Sequence, residues 1–330
     1  MFKYILKRIG ISLLILLGVS LILYTLLRCM PADFVELKIL DFQQSMPEGV
    51  TEEFKQLLYE TYGLNGTILE GYFKWLGNVC KLEFGNSFIN QRSVLSEVFN
   101  PDRLGTSFLV AAIATVFEFL IAIPLGVTAA THQYSLRDYV VTVFVLVGVS
   151  LPSFFFGQML KDIFANKLGW FPVSGMKDAG LTYANGFEAL MDYLHHMFLP
   201  ILTVVVLSIG GRMRMTRTNM LEVLNSDYIR TARAKGLKEK KVIYKHAFRN
   251  TLIPIVTGLA GLIPSLFSGA MITESVFDLT GIGSYALNAM QQGDIPVIMT
   301  YNMFLAFLAV TGVLLADLMY GIVDPRVKLA

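Results

Sequence analysis

The segment Thr106–Ala130, TSFLVAAIATVFEFLIAIPLGVTAA, runs for 25 residues with one charge, Glu118. A helix crosses the hydrocarbon of a bilayer in about 20 apolar residues, so this run is long enough to span. Others lie on either side of it. Ile9–Leu27 has 19 residues and no charge, and Tyr139–Leu160 has 22 and none, interrupted by Pro152. Met197–Gly211 has 15, and extending back to Tyr193 adds a turn through His195 and His196. Leu252–Thr273 has 22 uncharged residues despite Pro254 and Pro264, and Val297–Val323 has 27 with one charge, Asp317. Six such runs predict six transmembrane helices in an all-α integral membrane protein. The first is longer than a signal-peptide core and no small-residue cleavage site follows Leu27, so it reads as a retained helix.

Composition agrees with this. Of 330 residues, 54% are hydrophobic and 16% charged, where a soluble chain carries about a quarter charged. The 24 Phe and low charge exclude disorder, and two Cys, Cys29 and Cys80, exclude a disulfide scaffold. A net charge of +2 argues against nucleic acid as a partner.

Six spans put both termini on one side. Seventeen of the 27 Lys and Arg fall on that side: the N-terminal tail, the second-to-third connection, the fourth-to-fifth connection and the C-terminal tail. The fourth-to-fifth connection alone holds eleven, between Arg212 and Arg249. That face carries +12 and the opposite face −8, with Glu118 and Asp317 inside spans. Positive residues mark the cytoplasmic side, so both termini are expected there.

The first outer loop runs from Arg28 to about Arg103. Thr51 can cap a helix with Glu52 and Glu53 in its first turn. Phe54, Leu57, Leu58 and Tyr62 then share a face and Gly63 ends it. Tyr72, Trp75, Leu76 and Val79 repeat the helical spacing, an aromatic stripe suited to the membrane interface. Two uses fit: packing on the outer ends of the spans, or a platform on which a soluble partner docks.

The basic connection contains Ser226–Asn250, SDYIRTARAKGLKEKKVIYKHAFRN. Ser226 or Asp227 can cap a short helix, and Gly236 sits where a C′ glycine ends one. A second helix then starts near Leu237 and enters the fifth span. Positive charge alone suits anionic lipid. The small residues Ala232 and Ala234 before the glycine turn point instead to close docking of another surface.

DYIRTARAKGL at 227–237, with HAFRN at 246–250 and Pro254, resembles the cytoplasmic "EAA" loop of permease subunits of ATP-binding-cassette importers. The branch it is most similar to is the dipeptide, oligopeptide and nickel permeases, the first of the two paired subunits. The resemblance covers nearly the whole chain. It includes Arg28-Cys29-Met30-Pro31, Tyr62-Gly63-Leu64 and Phe84-Gly85-Asn86-Ser87. Pro152-Ser153-Phe154 and Leu168-Gly169-Trp170-Phe171-Pro172 follow. Glu274-x-x-Phe277 with Gly281-Ile282-Gly283, then Asp294-x-Pro296, Asp317-Leu318-Met319-Tyr320 and Asp324-Pro325-Arg326 complete it. Departures are Ala32-Asp33-Phe34 in place of Gly-Asp-Pro, and Thr280 in place of a proline. Arg230-Thr231-Ala232 stands where the general motif has Glu-Ala-Ala.

The resemblance implies a type I importer permease fold with an outer helical loop after helix 1. The expected divisions are 1–30 (tail and first helix), 31–103 (outer loop), 104–323 (permease core, with the loop at 212–250) and 324–330 (tail). It implies a multi-pass protein of a bacterial or archaeal inner membrane. The implied partners are a second homologous permease, two ATPases, an outer solute-binding protein and membrane lipid. No Gly-x4-Gly-Lys-Ser/Thr loop occurs, so ATP-Mg belongs to the partner subunits, and no catalytic residue or cofactor is expected in this chain. The helix at 227–236 would be the coupling helix. Ala232, Gly236 and Leu237 are expected in close contact with an ATPase. Arg230, Arg233 and Lys235 form a charged rim, with Asp227, Tyr228 and Ala234 on the same element. The cargo implied is peptide, with nickel chelate, glutathione or oligosaccharide as alternatives.

Glu118 is the costly residue, since a carboxylate in mid-span faces the bundle or a water-filled cavity. It can meet a cation of the cargo, or form an inter-helix hydrogen bond. Asp317 is read as structural. His195 and His196 are adjacent, share no helical face, and have no acid or Cys assigned at ligand spacing, so no metal site is expected. Other classes fit less well. An intramembrane hydrolase lacks a Gly-x-Ser-x-Gly or central His, and a secondary transporter's two repeated halves are not visible. A permease-like regulatory subunit would transport nothing.

Overall fold

The computed structural model describes residues 2–29, 35–36, 39, 51–62, 64–178, 180, 183–258 and 261–323. Helices dominate, and no strand occurs among the described residues apart from one antiparallel bridge, Asn86–Ser93. In chain order the helices are α1 (Phe2–Arg28), α2 (Glu52–Thr61), α3 (Ile68–Val79), α4 (Val94–Val98), α5 (Pro101–Thr131), α6 (Leu136–Ser150) and α7 (Ser153–Leu160). There follow α8 (Gly186–Leu224), α9 (Asp227–Ala234), α10 (Glu239–Lys241), α11 (Phe248–Gly258), α12 (Leu262–Phe267), α13 (Met271–Val276), α14 (Ile282–Gln291) and α15 (Ile295–Val323). Wide π turns, Lys161–Lys167 and Val242–Ala247, continue α7 and join α10 to α11.

Four of the expected spans are single long apolar helices, in α1, α5, α8 and α15. The other two are broken. The third bends by 101° between α6 and α7. Pro152 has no amide hydrogen and forces the residue before it out of the helical region, and Leu151 is extended at φ −83°, ψ 130°. The fifth divides into α11, α12 and α13. At the last break Tyr301 on α15 donates its hydroxyl to the Ser268 carbonyl at 2.5 Å, which supplies a partner that the interrupted helix no longer provides.

The fourth span has the shortest uncharged run yet is the longest helix. Its 39 residues extend about 58 Å, well beyond the hydrocarbon. α8 lies along α5 and also meets α6, α7 and α11. It is the most buried of the four long spans, so protein rather than lipid receives its polar residues.

The long segment after α1 is capped as expected at Thr51, whose side chain accepts from Phe54 N–H. Gly63 lies outside the described residues. α3 opens on a reciprocal box in which Thr67 accepts from Glu70 N–H and Glu70 accepts from Thr67 N–H. Its aromatic stripe does not face lipid. Tyr72 is buried, packs edge-on against Tyr24 of α1, and shares a hydrogen bond with Ser20 at 2.9 Å. Leu58, Tyr62, Trp75 and Leu76 join Tyr24 and Met299 in the same cluster, so these helices pack on the C-terminal end of α1 and the N-terminal end of α15. Cys29 and Cys80 are both free and exposed.

Candidate functional site

The basic connection folds as its residues suggest, with two differences. Ser226 occupies the cap of α9 with extended backbone, but its hydroxyl donates to the Val223 carbonyl at 2.6 Å instead of capping the helix. Asp227 supplies the first-turn acid that the helix dipole favours. At the other end Gly236 has φ +74°, and its amide donates to the Arg233 carbonyl at 2.9 Å. A Cβ at 236 would meet nothing within 4 Å. Glycine is therefore required by backbone conformation, which costs an L-residue about 1–2 kcal/mol.

Ile229 and Ala232 turn inward, against Val127 and Ala130 of α5, Met220 of α8, and Val242 and Ala247. Leu237 is half-buried at the edge of this cluster. The expectation of outward contact at Ala232 is thus corrected: its methyl seats α9 on the bundle, because the inward face is the one at spacing 229, 232. Asp227, Tyr228, Arg230, Thr231, Arg233, Ala234, Lys235 and Gly236 are exposed. Arg233 donates to Glu239 through Nε at 3.2 Å and Nη2 at 2.7 Å, and holds the Glu239 carboxyl below its ordinary range. Arg230 stands 3.7 Å from Asp227.

Glu118 is not alone. Its Oε1 accepts from Arg212 Nε at 2.9 Å, with side chains 10% and 16% exposed. The guanidinium also lies 4.6 Å over the Phe119 ring. Arg212, counted by sequence with the basic connection, belongs to α8 and ties it to α5. One turn and a half further on, Arg217 clamps Asp138 at 3.0 and 2.9 Å and ties α8 to α6. Between them α5 and α8 approach tightly at Gly126, where a Cβ would stand 2.7 Å from Thr216 Cβ and 2.8 Å from the Met213 carbonyl oxygen. The Asp317 side chain and Asp324-Pro325-Arg326 lie outside the described residues.

At the opposite end two buried acids organise the loops. Glu274 is fully buried. Its Oε1 accepts from Ser107 Oγ at 2.7 Å and from Ala270 N–H at 3.2 Å, and its Oε2 from Ser284 N–H at 2.8 Å. Ser107 Oγ accepts in turn from Ile282 N–H at 2.9 Å. A side chain at Gly281 would collide with this carboxylate. Asp294, also fully buried, accepts from Ser87 Oγ at 2.5 Å and Phe88 N–H at 3.1 Å. It joins the segment between α3 and α4 to the turn before α15. Beside them lies a cavity of about 820 Å³ bordered by Asp102, Thr106, Met176, Tyr183, Tyr193 and Thr280.

The reading of the histidines needs correcting. Asp192 precedes His196 by four residues, one helical turn, so an acid does stand at ligand spacing. Asp178 reaches the same ring from the preceding loop. His195 points elsewhere, its Nε2 2.8 Å from the Trp170 carbonyl oxygen.

Residues 122–329 match the family model described as the inner membrane component of binding-protein-dependent transport systems. Full-length relatives are similar throughout. An oligopeptide transport system permease of Bacillus subtilis is 36% identical over 328 residues, covering 99% of this chain and all of that one. A di/tripeptide transport system permease of Pseudomonas aeruginosa is 32% identical, and a dipeptide transport system permease of Escherichia coli K12 31%, each with 99% of both chains covered.

Proposed function

The chain belongs to the family of binding-protein-dependent transport inner-membrane components, and from that premise we propose that it is one of two permease subunits of an ATP-driven peptide importer. Membership makes it a multi-pass membrane protein and the transport component rather than the ATP-hydrolysing one. The peptide cargo follows the transport systems for which the relatives are named. The partners are a second permease, two cytoplasmic ATPases and an outer solute-binding protein. Both termini face the cytoplasm of the inner membrane, on the side that carries the excess of Lys and Arg.

The observation that carries the coupling role is the seating of α9. It presents an exposed face from Asp227 to Gly236 while Ile229 and Ala232 anchor it to the ends of α5 and α8. A push on that face reaches two spans at once. ATPase closure would move α9 and these spans together, a rigid-body shift driven by unequal nucleotide affinity for two states. Ala234, rather than Ala232, is the small residue left for close approach. The test is purification in mild detergent followed by reconstitution. Co-purification with two ATPases and a second permease, and ATP-dependent uptake of a labelled peptide mixture delivered by the binding protein, are expected. Isolation as a self-sufficient transporter that needs no ATP overturns the reading.

A further inference from the structure

On the outer side, near the start of α8, the His196 side chain is only 2% exposed. Its Nδ1 lies 3.0 Å from the Asp192 main-chain oxygen. A carbonyl oxygen only accepts, so the proton sits on Nδ1 and Nε2 presents a lone pair. The group facing Nε2 is Asp178 Oδ1 at 3.6 Å, a second acceptor. Two acceptors held face to face need positive charge between them, either a second proton on the ring or a cation. The gap is too long for a direct hydrogen bond. It matches two ligands on one ion: with bonds of about 2.0–2.2 Å at tetrahedral to trigonal angles, ligand atoms stand roughly 3.4–3.6 Å apart.

A second carboxylate stands nearby. Asp192 lies one turn before His196, and the three residues' ligand atoms lie within 4.8 Å of one another. The Asp192 carboxylate is itself oriented. Its Oδ2 accepts from the Tyr183 hydroxyl at 2.5 Å and from Asp178 N–H at 3.0 Å, and its Oδ1 stands 3.3 Å from the protonated Nδ1 of His196. Partners of this kind, a hydroxyl on the carboxylate and a carbonyl on the far ring nitrogen, fix ligands around metals.

We propose that Asp178, Asp192 and His196 form a binding site for a divalent transition cation of the zinc class. One imidazole with two carboxylates suits such ions, whereas Mg²⁺ and Ca²⁺ favour all-oxygen sets. Three protein ligands leave a position for water. Asp178, 56% exposed, gives the ion its way in from outside. The bound ion fastens the loop at 173–178 to α8, beside the cavity that Tyr183 also borders.

The full-length chain in detergent, stripped with chelator and dialysed against Zn²⁺, tests this. One tightly held zinc per chain is expected by elemental analysis, together with a tetrahedral or five-coordinate absorption spectrum on Co²⁺ substitution. Asp178→Asn, at a half-exposed position that does not endanger folding, should weaken Zn²⁺ binding at least tenfold. His196→Gln should abolish the Co²⁺ spectrum, and Tyr183→Phe should weaken affinity without abolishing it. Absence of saturable Zn²⁺ binding overturns the proposal, leaving the cluster an imidazolium–carboxylate contact. Zn²⁺ binding unchanged in Asp178→Asn overturns it as well, because the ion then sits elsewhere.

Discussion

Removing one charge of the Glu118–Arg212 pair should do more harm than removing both. Each side chain is less than a fifth exposed, and their contact is 2.9 Å. Glu118→Gln leaves a guanidinium inside the bundle with no carboxylate, and Arg212→Gln leaves the reverse. Breaking such a pair from one side costs about 3–5 kcal/mol, whereas replacing both partners is close to neutral. The double variant Glu118→Gln/Arg212→Gln should therefore cost less than either single variant, which makes the coupling energy at least as large as one single loss, about 3 kcal/mol or more. The assay is thermal unfolding of the purified complex, paired with uptake in proteoliposomes. The cycle also separates the two roles considered for Glu118. If the pair is a tie between α5 and α8, the double variant regains both stability and uptake. If Glu118 meets cargo, the double variant regains stability and stays defective in uptake. Strictly additive losses would refute the claim that the two groups act as a unit.

Gly236→Glu should uncouple ATP hydrolysis from uptake while the complex still assembles, whereas Gly236→Asn, a residue that tolerates the left-handed conformation, should retain most coupling; the ratio of phosphate released to peptide imported is the readout. Asp294→Asn removes the charge that Ser87 and the Phe88 amide bind, at about 1.5–3 kcal/mol for charged hydrogen bonds. Limited proteolysis should then cut the first outer loop sooner than in the parent. Gly126→Val drives a side chain into Thr216 and Met213, and overpacking of this kind costs about 1–3 kcal/mol. A lowered melting temperature with the α5–α8 contact disturbed is expected, and an unchanged one would show that these helices have slack.

The length of uncharged runs made the spans legible, because the bilayer sets a minimum that no soluble core imposes. It did not reveal which runs are single helices. Leu252–Thr273 contains no charge, yet it divides, because an apolar run says nothing about where the backbone hydrogen bonds stop. The fourth span offered the shortest uncharged run for the opposite reason. α8 is covered by other helices, so Arg212 and His196 on it are satisfied by protein. Capping at Thr51 and the Thr67–Glu70 box were written in local spacing, and the same holds for the glycine turn at 236. Ser226 has the right residue type at the cap and a better acceptor in Val223. Asp192–His196 was visible at spacing of four once the helix was known to run through it. Asp178 comes from a loop and Arg212 lies 94 residues from Glu118, so no periodicity could have joined them.

The placement of these ties decides how a movement of α9 can travel. α9 rests on Val127 and Ala130 of α5 and on Met220 of α8. Just behind that seat the two helices touch at Gly126 and Thr216, then are joined by Glu118 and Arg212. Slippage of one helix past the other would separate a buried charge pair and open a close contact. Moving the two together costs neither. At its far end α5 carries Ser107, which bridges the buried Glu274 carboxylate and the Ile282 amide. The outer loops are therefore attached to the same beam. The broken spans, at Pro152 and at Ser268–Ala270, lie outside this beam; Asp138 and Arg217 hold α6 to α8, and past the break at Pro152 the backbone angle can change without parting that pair. A rigid α5–α8 unit flanked by two interrupted spans would suit the rocking motion proposed for coupling: the unit would carry displacement from α9 to the loops at its far end, and the interruptions would absorb the difference in angle.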